Sequence, residues 1–490
     1  MTGSGPGNRG RALALLACTQ FLLILDTSVI NVAAPSMGRD LDISPAALSW
    51  VANAYLVSFG GLLLLSGRAA DLLGRRRLFV AGLATLAVGS LPGAFADSAA
   101  LLITARAVQG VGAAMAGAAS LALLLTLFAD GPERHRALGV FAAMAGAGGA
   151  VGTVLGGVLT SWLGWEATFA MNAAAVPVLI VPALRLLPPG RAAYAGRAPG
   201  FDLPGAVTVT LGLALLAYAL VSTGEAGWDE PRTLLTAAAS MALLALFVHI
   251  ERRAPFPLVP LAVFRRRTLR LANGLAVMWQ MSLFPMFFLV SLYLQQVLDY
   301  GAVGSGLALL PLSLVVVAVA AVADRLIGRY GLRAVMCTGF VLVAFGMAWQ
   351  SRLSVTGSFA ADVLPPSLLL GVALPLVAVT TNIAATVGTS RDEAGLASGL
   401  VNTGLQFGSV LGLAVLSGVA AARTEAVAGT GVAAGTGTAG AAGTEAALTA
   451  GFSTAFLVGA ALAAIGALLT LRLRLPLPPP ARTPQRGMRR

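Results

Sequence analysis

Long apolar stretches separated by short polar segments run along almost the whole chain. Fourteen of them have a length suited to crossing the hydrocarbon core of a bilayer, which takes roughly 17–25 residues of helix. The pattern therefore predicts an all-α polytopic membrane protein with fourteen transmembrane helices. The predicted spans are residues 12–34, 46–66, 78–97, 100–128, 136–160, 166–187, 203–223, 233–250, 270–297, 304–323, 333–351, 362–387, 394–421 and 451–472.

The composition supports a membrane location. Hydrophobic residues make up 57% of the chain and charged residues only 11%, whereas a soluble domain carries about 25% charged residues. Glycine is abundant, with 58 residues, and small residues let helix backbones approach closely within a bilayer.

The arginines predict the orientation of the spans. The chain has a net charge of +12, and all 32 of its basic residues are arginines. With the N-terminus inside, 27 of them fall in cytoplasmic segments and four in outer segments, while Arg106 lies inside the fourth span. Positive residues concentrate on the cytoplasmic side, so both termini are predicted to be cytoplasmic. The positive charge thus indicates topology and not a nucleic-acid partner.

A weak internal repeat divides the chain. Residues 67–77 follow the second predicted span and residues 324–333 follow the tenth, and each segment combines an acid, a glycine and arginines. Repeated halves are typical of secondary transporters. The predicted organisation is a six-helix bundle at 1–187, a linker with two inserted helices at 188–265, a second six-helix bundle at 266–475 with a low-complexity, mobile extracellular loop at 424–450, and a disordered basic tail at 476–490.

The first copy of this repeat resembles motif A of the major facilitator superfamily. Gly67 and Gly74 permit a tight turn between helices, and Asp71 can pair with arginines across the cytoplasmic seam of the two halves. Making and breaking such contacts would bias inward-open against outward-open states. The alternative interpretation is that the arginines only fix the topology of the chain, and we prefer this interpretation for Arg76 and Arg77. The predicted gating residues are Gly67, Asp71, Gly74 and Arg75, with Asp324, Arg325 and Arg329 from the repeat.

Asp26 is the second candidate feature, because it lies in the first apolar span. A carboxyl group at membrane depth costs roughly 2.5–3.5 kcal/mol and is a functional candidate by default. The alternative is a structural acid that pairs with a neighbour or caps a helix break. Its surroundings, residues 25–35, resemble the first-helix motif of the fourteen-helix drug:proton antiporters, with Ser28 in place of a threonine.

The fourth span supplies a basic partner. Residues 106–114 resemble motif B of the same superfamily, and the resemblance implies a role for Arg106 in proton transfer and makes it the expected electrostatic partner of Asp26. Gln109 lies three residues on and shares its helix face. The alternative for Arg106 is an arginine that snorkels to the outer interface.

A row of glycines in the fifth span resembles motif C, the pattern shared by antiporters. Gly148, Gly152 and Gly156 recur every four residues and form one smooth helix face, and Gly157 extends the pattern. Thr153 stands where the family pattern has proline. The motif points to export, and the departure at Thr153 leaves the direction of transport open.

The resemblance implies a proton-coupled secondary exporter of drugs or of a natural product, of the actinobacterial type, in a bacterial cell membrane. We expect a monomer that carries a small amphipathic substrate, with a monocation as one candidate, and that needs no cofactor except protons. Polar residues in the spans are candidate cavity linings, although each is equally suited to an interhelical hydrogen bond. They are Asn31, Asn53, Tyr55, Gln109, Gln280, Gln295, Asn402 and Gln406.

Other functions are less well supported. A solute importer of the same superfamily and a transport-dead sensor or scaffold remain as alternatives. An enzyme is not expected, because His135 and His249 are far apart and neither a metal-ligand cluster nor a Ser/His/Asp set is evident in the sequence.

Overall fold

The fold is entirely helical in the residues that the structure, a computed structural model, describes. These are residues 6–128, 131–188, 202–226, 230–387, 391–433 and 441–473. The α-helices are α1 (Pro6–Asp40), α2 (Pro45–Leu73), α3 (Arg75–Gly93), α4 (Ala99–Leu127), α5 (Pro132–Leu163), α6 (Glu166–Leu186), α7 (Leu203–Ala226), α8 (Pro231–Arg253), α9 (Arg267–Gln296), α10 (Ala302–Tyr330), α11 (Leu332–Gln350), α12 (Leu364–Thr386), α13 (Arg391–Ala433) and α14 (Ala441–Thr470). A short 3-10 helix, Leu261–Arg265, precedes α9, and a π-helical turn, Phe359–Val363, precedes α12.

Fourteen helices were predicted, and the described part of the chain contains fourteen α-helices, which confirms the fold class. Within the described residues, thirteen of them are long and apolar enough to cross a membrane. The exception is α3, which has only 19 residues and begins with three arginines. Those charges lower the mean hydropathy of so short a helix, although it packs between α4 and α6 like the other members of its bundle.

The internal repeat is visible in the packing of the helices. In the first six, α1 packs on α5, α2 on α4, and α3 on both α4 and α6. In the last six, α9 packs on α13, α10 on α12, and α11 on both α12 and α14. The two sets meet through the pairs α5–α10 and α13–α2, which are equivalent under the repeat. The inserted helices α7 and α8 pack on each other, and α7 also contacts α2 and α13.

The outer ends of the two halves are in close contact. The side-chain Nε2 of Gln295 in α9 donates a hydrogen bond to the carbonyl of Val32 in α1, at 3.0 Å. Gly157 in α5 packs against the backbone of Ala302 at the start of α10. A large cluster of buried apolar side chains continues these contacts, because it joins Ile30 and other residues near the outer end of α1 to α9 and α11–α14.

The prediction of a mobile loop at 424–450 is wrong for the part of it that the structure describes. Helix α13 continues to Ala433, and α14 already begins at Ala441. The segment is rich in alanine, the strongest helix former, and Gly451 packs against Thr424 of the neighbouring helix. Residues 434–440 lie outside the described residues, as do residues 189–201 of the predicted linker and the whole of the predicted tail.

Candidate functional site

A buried ion pair joins the first and fourth helices. The Nη1 atom of Arg106 in α4 lies 2.7 Å from Oδ2 of Asp26 in α1, and the two side chains are only 1% and 2% exposed. A short, charge-assisted hydrogen bond of this kind is strong. Arg106 therefore does not snorkel to the interface, and Asp26 does not cap a helix break, because α1 continues unbroken to Asp40.

Arg106 is held from several sides. Its Nε donates to the carbonyl of Val51 in α2 at 3.1 Å, and its Nη1 also donates to Oε1 of Gln109 at 2.9 Å. The ring of Tyr55 lies with its centroid 4.3 Å from the guanidinium carbon, in a cation–π contact. These contacts hold the side chain of Arg106 in place in addition to its ion pair with Asp26.

Two further residues complete this network, and the sequence analysis missed both. The Nδ2 atom of Asn172 in α6 donates a hydrogen bond to Oδ1 of Asp26. The Nε2 atom of Gln109 donates to Oγ of Ser90 in α3 at 2.7 Å. The signal for Asn172 was present in the sequence, since it is an amide within a mainly apolar span.

The network contacts both side-chain oxygens of Asp26. As a carboxylate, it accepts hydrogen bonds from Arg106 and Asn172, and the pair with Arg106 carries no net charge. A proton on Oδ2 would break the bond from Arg106 and leave the arginine held by Gln109, Val51 and Tyr55. Protonation would therefore change both the contacts of α1 and the net charge of the site.

Three of the predicted cavity residues are buried amides in α1, α2 and α9. Asn31 is five residues beyond Asp26 in α1, Asn53 is two residues beyond Val51 in α2, and Gln295 binds the carbonyl of Val32 from the other half. Several of their polar atoms lack a hydrogen-bond partner among the described residues. These atoms are Oδ1 of Asn31, Nδ2 and Oδ1 of Asn53, and Oε1 of Gln295.

The other predicted cavity residues are placed differently. Tyr55 and Gln109 belong to the ion-pair network, where both are buried. Asn402 is half-buried and donates to the carbonyl of Ser398 within its own helix, at 3.1 Å. The half-buried Gln280 and Gln406 lie at helix contacts. Gln280 is next to Gly408 in α13, and Gln406 is next to Gly60 in α2.

The loop between α2 and α3 is built around one glycine. Gly74 has a φ of +100°, a conformation that favours glycine, and it ends α2 and starts α3. Asp71 pairs with Arg75 at 2.8 Å, and Arg75 also donates to the carbonyl of Ala122 at 3.2 Å and to Oγ1 of Thr126 in α4. The expected pairing of Asp71 across the seam is therefore wrong for this structure, because its partner is in the same half.

Two other expectations for this loop need correction. Gly67 lies within α2, and a side chain there would meet no atom within 4 Å, so it does not form the turn. Arg76 does more than fix topology. Its Nη2 donates to the carbonyl of Leu184 at 2.5 Å and its Nη1 donates to that of Leu187 at 3.2 Å, which ties α3 to the end of α6.

The second copy of the repeat has the same turn without the same contacts. Gly331, with a φ of +84°, separates α10 from α11 as Gly74 separates α2 from α3. Asp324 and Arg325 are exposed on α10, and neither forms a salt bridge with a residue that the structure describes. Arg329 lies over the ring of Tyr330, with its guanidinium carbon 5.4 Å from the ring centroid.

The glycines of α5 pack on two partners. Gly148, Gly152 and Gly156 face α1, next to Phe21, Leu25 with Ser28, and Val29 in turn. Gly157 instead packs against the start of α10 in the other half. The row thus joins the helix that carries Asp26 to the opposite bundle.

Two repeated six-helix bundles that span a membrane, with a buried ion pair inside one of them, define a polytopic membrane transporter. The chain belongs to the Major Facilitator Superfamily, whose family model matches residues 16–413. It is therefore a multi-pass protein of the bacterial cell membrane and a transporter rather than an enzyme. No group of three or more His, Cys, Asp or Glu residues suited to a metal ion occurs in the described part of the chain.

Named relatives share most of the chain. The cephamycin export protein CmcT of Amycolatopsis lactamdurans is 40% identical over 414 residues, which is 84% of this chain and 85% of the relative. The puromycin resistance protein pur8 of Streptomyces alboniger is 38% identical over 418 residues, 84% of this chain and 82% of the relative. Both sources agree with the actinobacterial type expected from the sequence.

Solved structures share the fold at low identity. A bacterial homologue of the human lysosomal transporter Spinster, in an inward-facing and unoccupied conformation, has a TM-score of 0.70 at 15% identity, covering 97% of this chain and all of the other. The nucleoside transporter NupG has a TM-score of 0.63 at 14% identity, covering 94% of this chain and 99% of the other. These likenesses support the fold alone.

Proposed function

We propose that the protein exports small amphipathic antibiotics or related natural products, and that protons entering through the same site drive the export. Export is supported by the names of the relatives, which are export and resistance proteins for cephamycin and puromycin. Proton coupling is supported by Asp26, which is buried in a membrane-spanning helix and hydrogen-bonded to Arg106 at 2.7 Å. That ion pair is the observation that carries the proposal.

The exchange uses the two states of Asp26. In the state open to the outside, a proton binds Oδ2 of Asp26, and Arg106 loses its partner. In the state open to the cytoplasm, the proton leaves, the ion pair re-forms, and substrate can bind. Substrate and proton thus occupy the carrier in alternation, which couples the two fluxes.

The glycines of α5 connect the contacts of Asp26 in α1 to the other half of the protein. Gly152 packs against Leu25 and Ser28, which flank Asp26, and Gly157 packs against α10. A shift of α1 on protonation would therefore be passed through α5 to the opposite bundle. Tightly packed helices transmit such small shifts because their interfaces do not deform continuously.

Efflux from cells tests the proposal directly. Cells that overexpress the full chain are loaded with fluorescent drugs, among them ethidium and N-acetyldoxorubicin, and efflux is followed with and without an uncoupler. Efflux is expected to need the proton gradient and to be lost in Asp26→Asn. Asp40→Asn is the matched control, because it makes the same change at an exposed acid of the same helix.

Three results would contradict the proposal in different ways. Efflux that persists with the uncoupler would exclude proton coupling. Accumulation of drug by the expressing cells would indicate an importer. Absence of energised flux for every compound, with the protein present in the membrane, would favour a sensor or scaffold.

A further inference from the structure

Two further buried carboxyl groups lie at the cytoplasmic ends of the inserted helices. Asp202 immediately precedes α7 and Glu251 is in the last turn of α8, and the two residues are only 6% and 4% exposed. Their carboxyl groups face each other within hydrogen-bonding reach. Neither forms a salt bridge with a basic residue that the structure describes. Two buried carboxylates in contact repel each other, and such a pair holds a proton more tightly than an exposed acid does.

Each carboxyl group has one oxygen in use and one without a partner. Oδ1 of Asp202 accepts a hydrogen bond from the backbone N–H of Gly205 at 2.9 Å, and Oε2 of Glu251 accepts one from that of Val259 at 3.1 Å. Oδ2 of Asp202 and Oε1 of Glu251 are buried and have no hydrogen-bond partner in the described part of the chain. Carboxylates only accept hydrogen bonds. One proton between these two oxygens would satisfy both of them and remove one of the two charges.

The other charged or titratable groups near this pair leave it unneutralised. His249 and Arg253 are exposed on α8, and they line a cavity of about 410 Å³ together with Asp202. Arg68 of α2 lies over the ring of Phe256, with its guanidinium carbon 5.3 Å from the ring centroid. The cavity lies at the cytoplasmic ends of the helices, so protons from the cytoplasm can reach the pair.

The pair joins two parts of the chain that are separate in sequence. Asp202 holds the start of α7 through Gly205. Glu251 holds Val259, which lies in the segment between α8 and α9, the first helix of the second half. Val259 is buried in the same apolar cluster as Ala206 of α7 and Leu269 of α9. A proton shared by the two carboxyl groups would therefore fasten the start of α7 to the segment that leads into the second half.

We infer that Asp202 and Glu251 share one proton and form a second protonation site, separate from Asp26, that acts as a pH-sensitive link between α7 and the segment entering α9. When the cytoplasm becomes alkaline, the proton leaves, the two carboxylates repel each other, and the hold of Glu251 on Val259 loosens. The folded protein keeps a proton that the carboxyl groups of an unfolded chain release. The stabilisation is thus present at lower pH and is lost as the pH rises.

Infrared difference spectra of the purified full chain detect this proton. Spectra are recorded from about pH 6 to about pH 9, the range in which a buried carboxyl group loses its proton. In the wild type, the carbonyl band of a protonated carboxyl group is expected to disappear as the pH rises. Glu251→Gln should lack this band, whereas a band from Asp26 would be common to both proteins. Glu230→Gln is the matched control, because Glu230 is an exposed acid at the other end of α8, and it should keep the band.

Hydrogen exchange of the Val259 amide gives a local readout. After correction for the intrinsic effect of pH, its protection in the wild type should fall by up to about tenfold per pH unit once the proton is lost. In Glu251→Gln, the amide nitrogen can donate to Asp202 and the amide oxygen can accept from Val259, so protection should persist at every pH. Glu230→Gln and His249→Gln should behave like the wild type.

Each remaining outcome would overturn the inference. A band of equal size in the wild type and in Glu251→Gln, or protection of Val259 that does not change with pH in the wild type, would show that the pair holds no shared proton. Protection that depends on Na⁺ or Mg²⁺ in place of pH would show that a cation neutralises the two carboxylates. None of these measurements involves transport, so their failure would leave proton-coupled export intact, and loss of proton-coupled efflux would leave this site intact.

Discussion

The two halves of the molecule share their helix packing but not their chemistry. In the first half, α1 and α4 hold Asp26 and Arg106 in a buried ion pair. In the second half, the equivalent helices α9 and α12 bury uncharged polar groups, such as Gln295 and Thr380. The cytoplasmic loops differ in the same way. Gly74 and Gly331 make similar turns, but only the first loop contains a salt bridge between described residues.

This difference assigns separate tasks to the two halves. A buried charge at membrane depth is costly and is a functional candidate by default, so under the proposed function the first half is the part that binds protons. The second half contributes Gln295, which donates a hydrogen bond to α1. The two halves therefore share the same helix packing, and they differ in the polar residues at single positions within it.

The largest effect is expected from splitting the ion pair. Asp26→Asn or Arg106→Gln leaves one member of the pair without its partner, which costs about 3–5 kcal/mol in a buried site. The double variant removes both charges and should recover most of that stability without recovering transport. Apparent melting temperatures in detergent and drug efflux from cells measure the two properties.

This comparison of the single and double variants also tests the role of the ion pair. If either single variant were as stable as the wild type, the buried contact would not contribute as described. If the double variant transported normally, Asp26 would be structural, and the difference between the halves would have no functional meaning.

A smaller effect is expected at the contact between α5 and α1, within the first half. A Cβ atom at Gly156 would lie 2.9 Å from the Cα of Val29, so Gly156→Ala must push α5 away from α1. Overpacking of this kind costs about 1–3 kcal/mol. Gly146→Ala in the same helix meets no atom within 4 Å and should gain up to about 1 kcal/mol from helix propensity.

Thermal unfolding of the two alanine variants gives the comparison. Equal melting temperatures would mean that the glycine row does not set the approach of α5 to α1. Efflux by the Gly156 variant should fall together with its stability.

The smallest effect is expected from removing the salt bridge of the first cytoplasmic loop. Arg75→Ala removes the pair with Asp71 and the contacts with Ala122 and Thr126, at a cost of about 1 kcal/mol for a partly exposed pair. The efflux rate should fall several-fold, because the loop no longer holds α3 against α4. Arg325→Ala, at the exposed position in the other half, should leave the rate unchanged. A similar loss in both variants would show that the loops act alike.

Much of the fold was predictable from the sequence because apolar length and the distribution of arginines decide it. The boundaries were less predictable. Residues 424–433 and 441–450 look like a low-complexity loop, but their alanines extend α13 and α14. The repeat was predictable from its residues, but the position of the turn in its second copy was not. Gly328 lies inside α10, and Gly331 is the residue equivalent to Gly74.

The site was predictable in part. An acid or an arginine is rare in an apolar span and is therefore easily recognised in the sequence. The resemblance to a family then paired Asp26 with Arg106. Asn172 and Ser90 are less conspicuous, because a lone amide or hydroxyl in a membrane helix is common and its partner depends on how the helices are rotated. The local partner of Asp71 also depends on tertiary structure, since several arginines lie within reach in the sequence.

The central claim is that Asp26 exchanges a proton when substrate binds. The most direct measurement is proton release from purified protein in weakly buffered detergent solution, followed with a pH dye on addition of a compound that the protein exports. The wild type is expected to release more protons per bound molecule, up to about one, as the starting pH is lowered and more of Asp26 is protonated before the compound is added, because the compound binds the deprotonated site. The Asp40→Asn control should do the same. Asp26→Asn should bind without release. Equal release from the wild type and from Asp26→Asn would contradict the account.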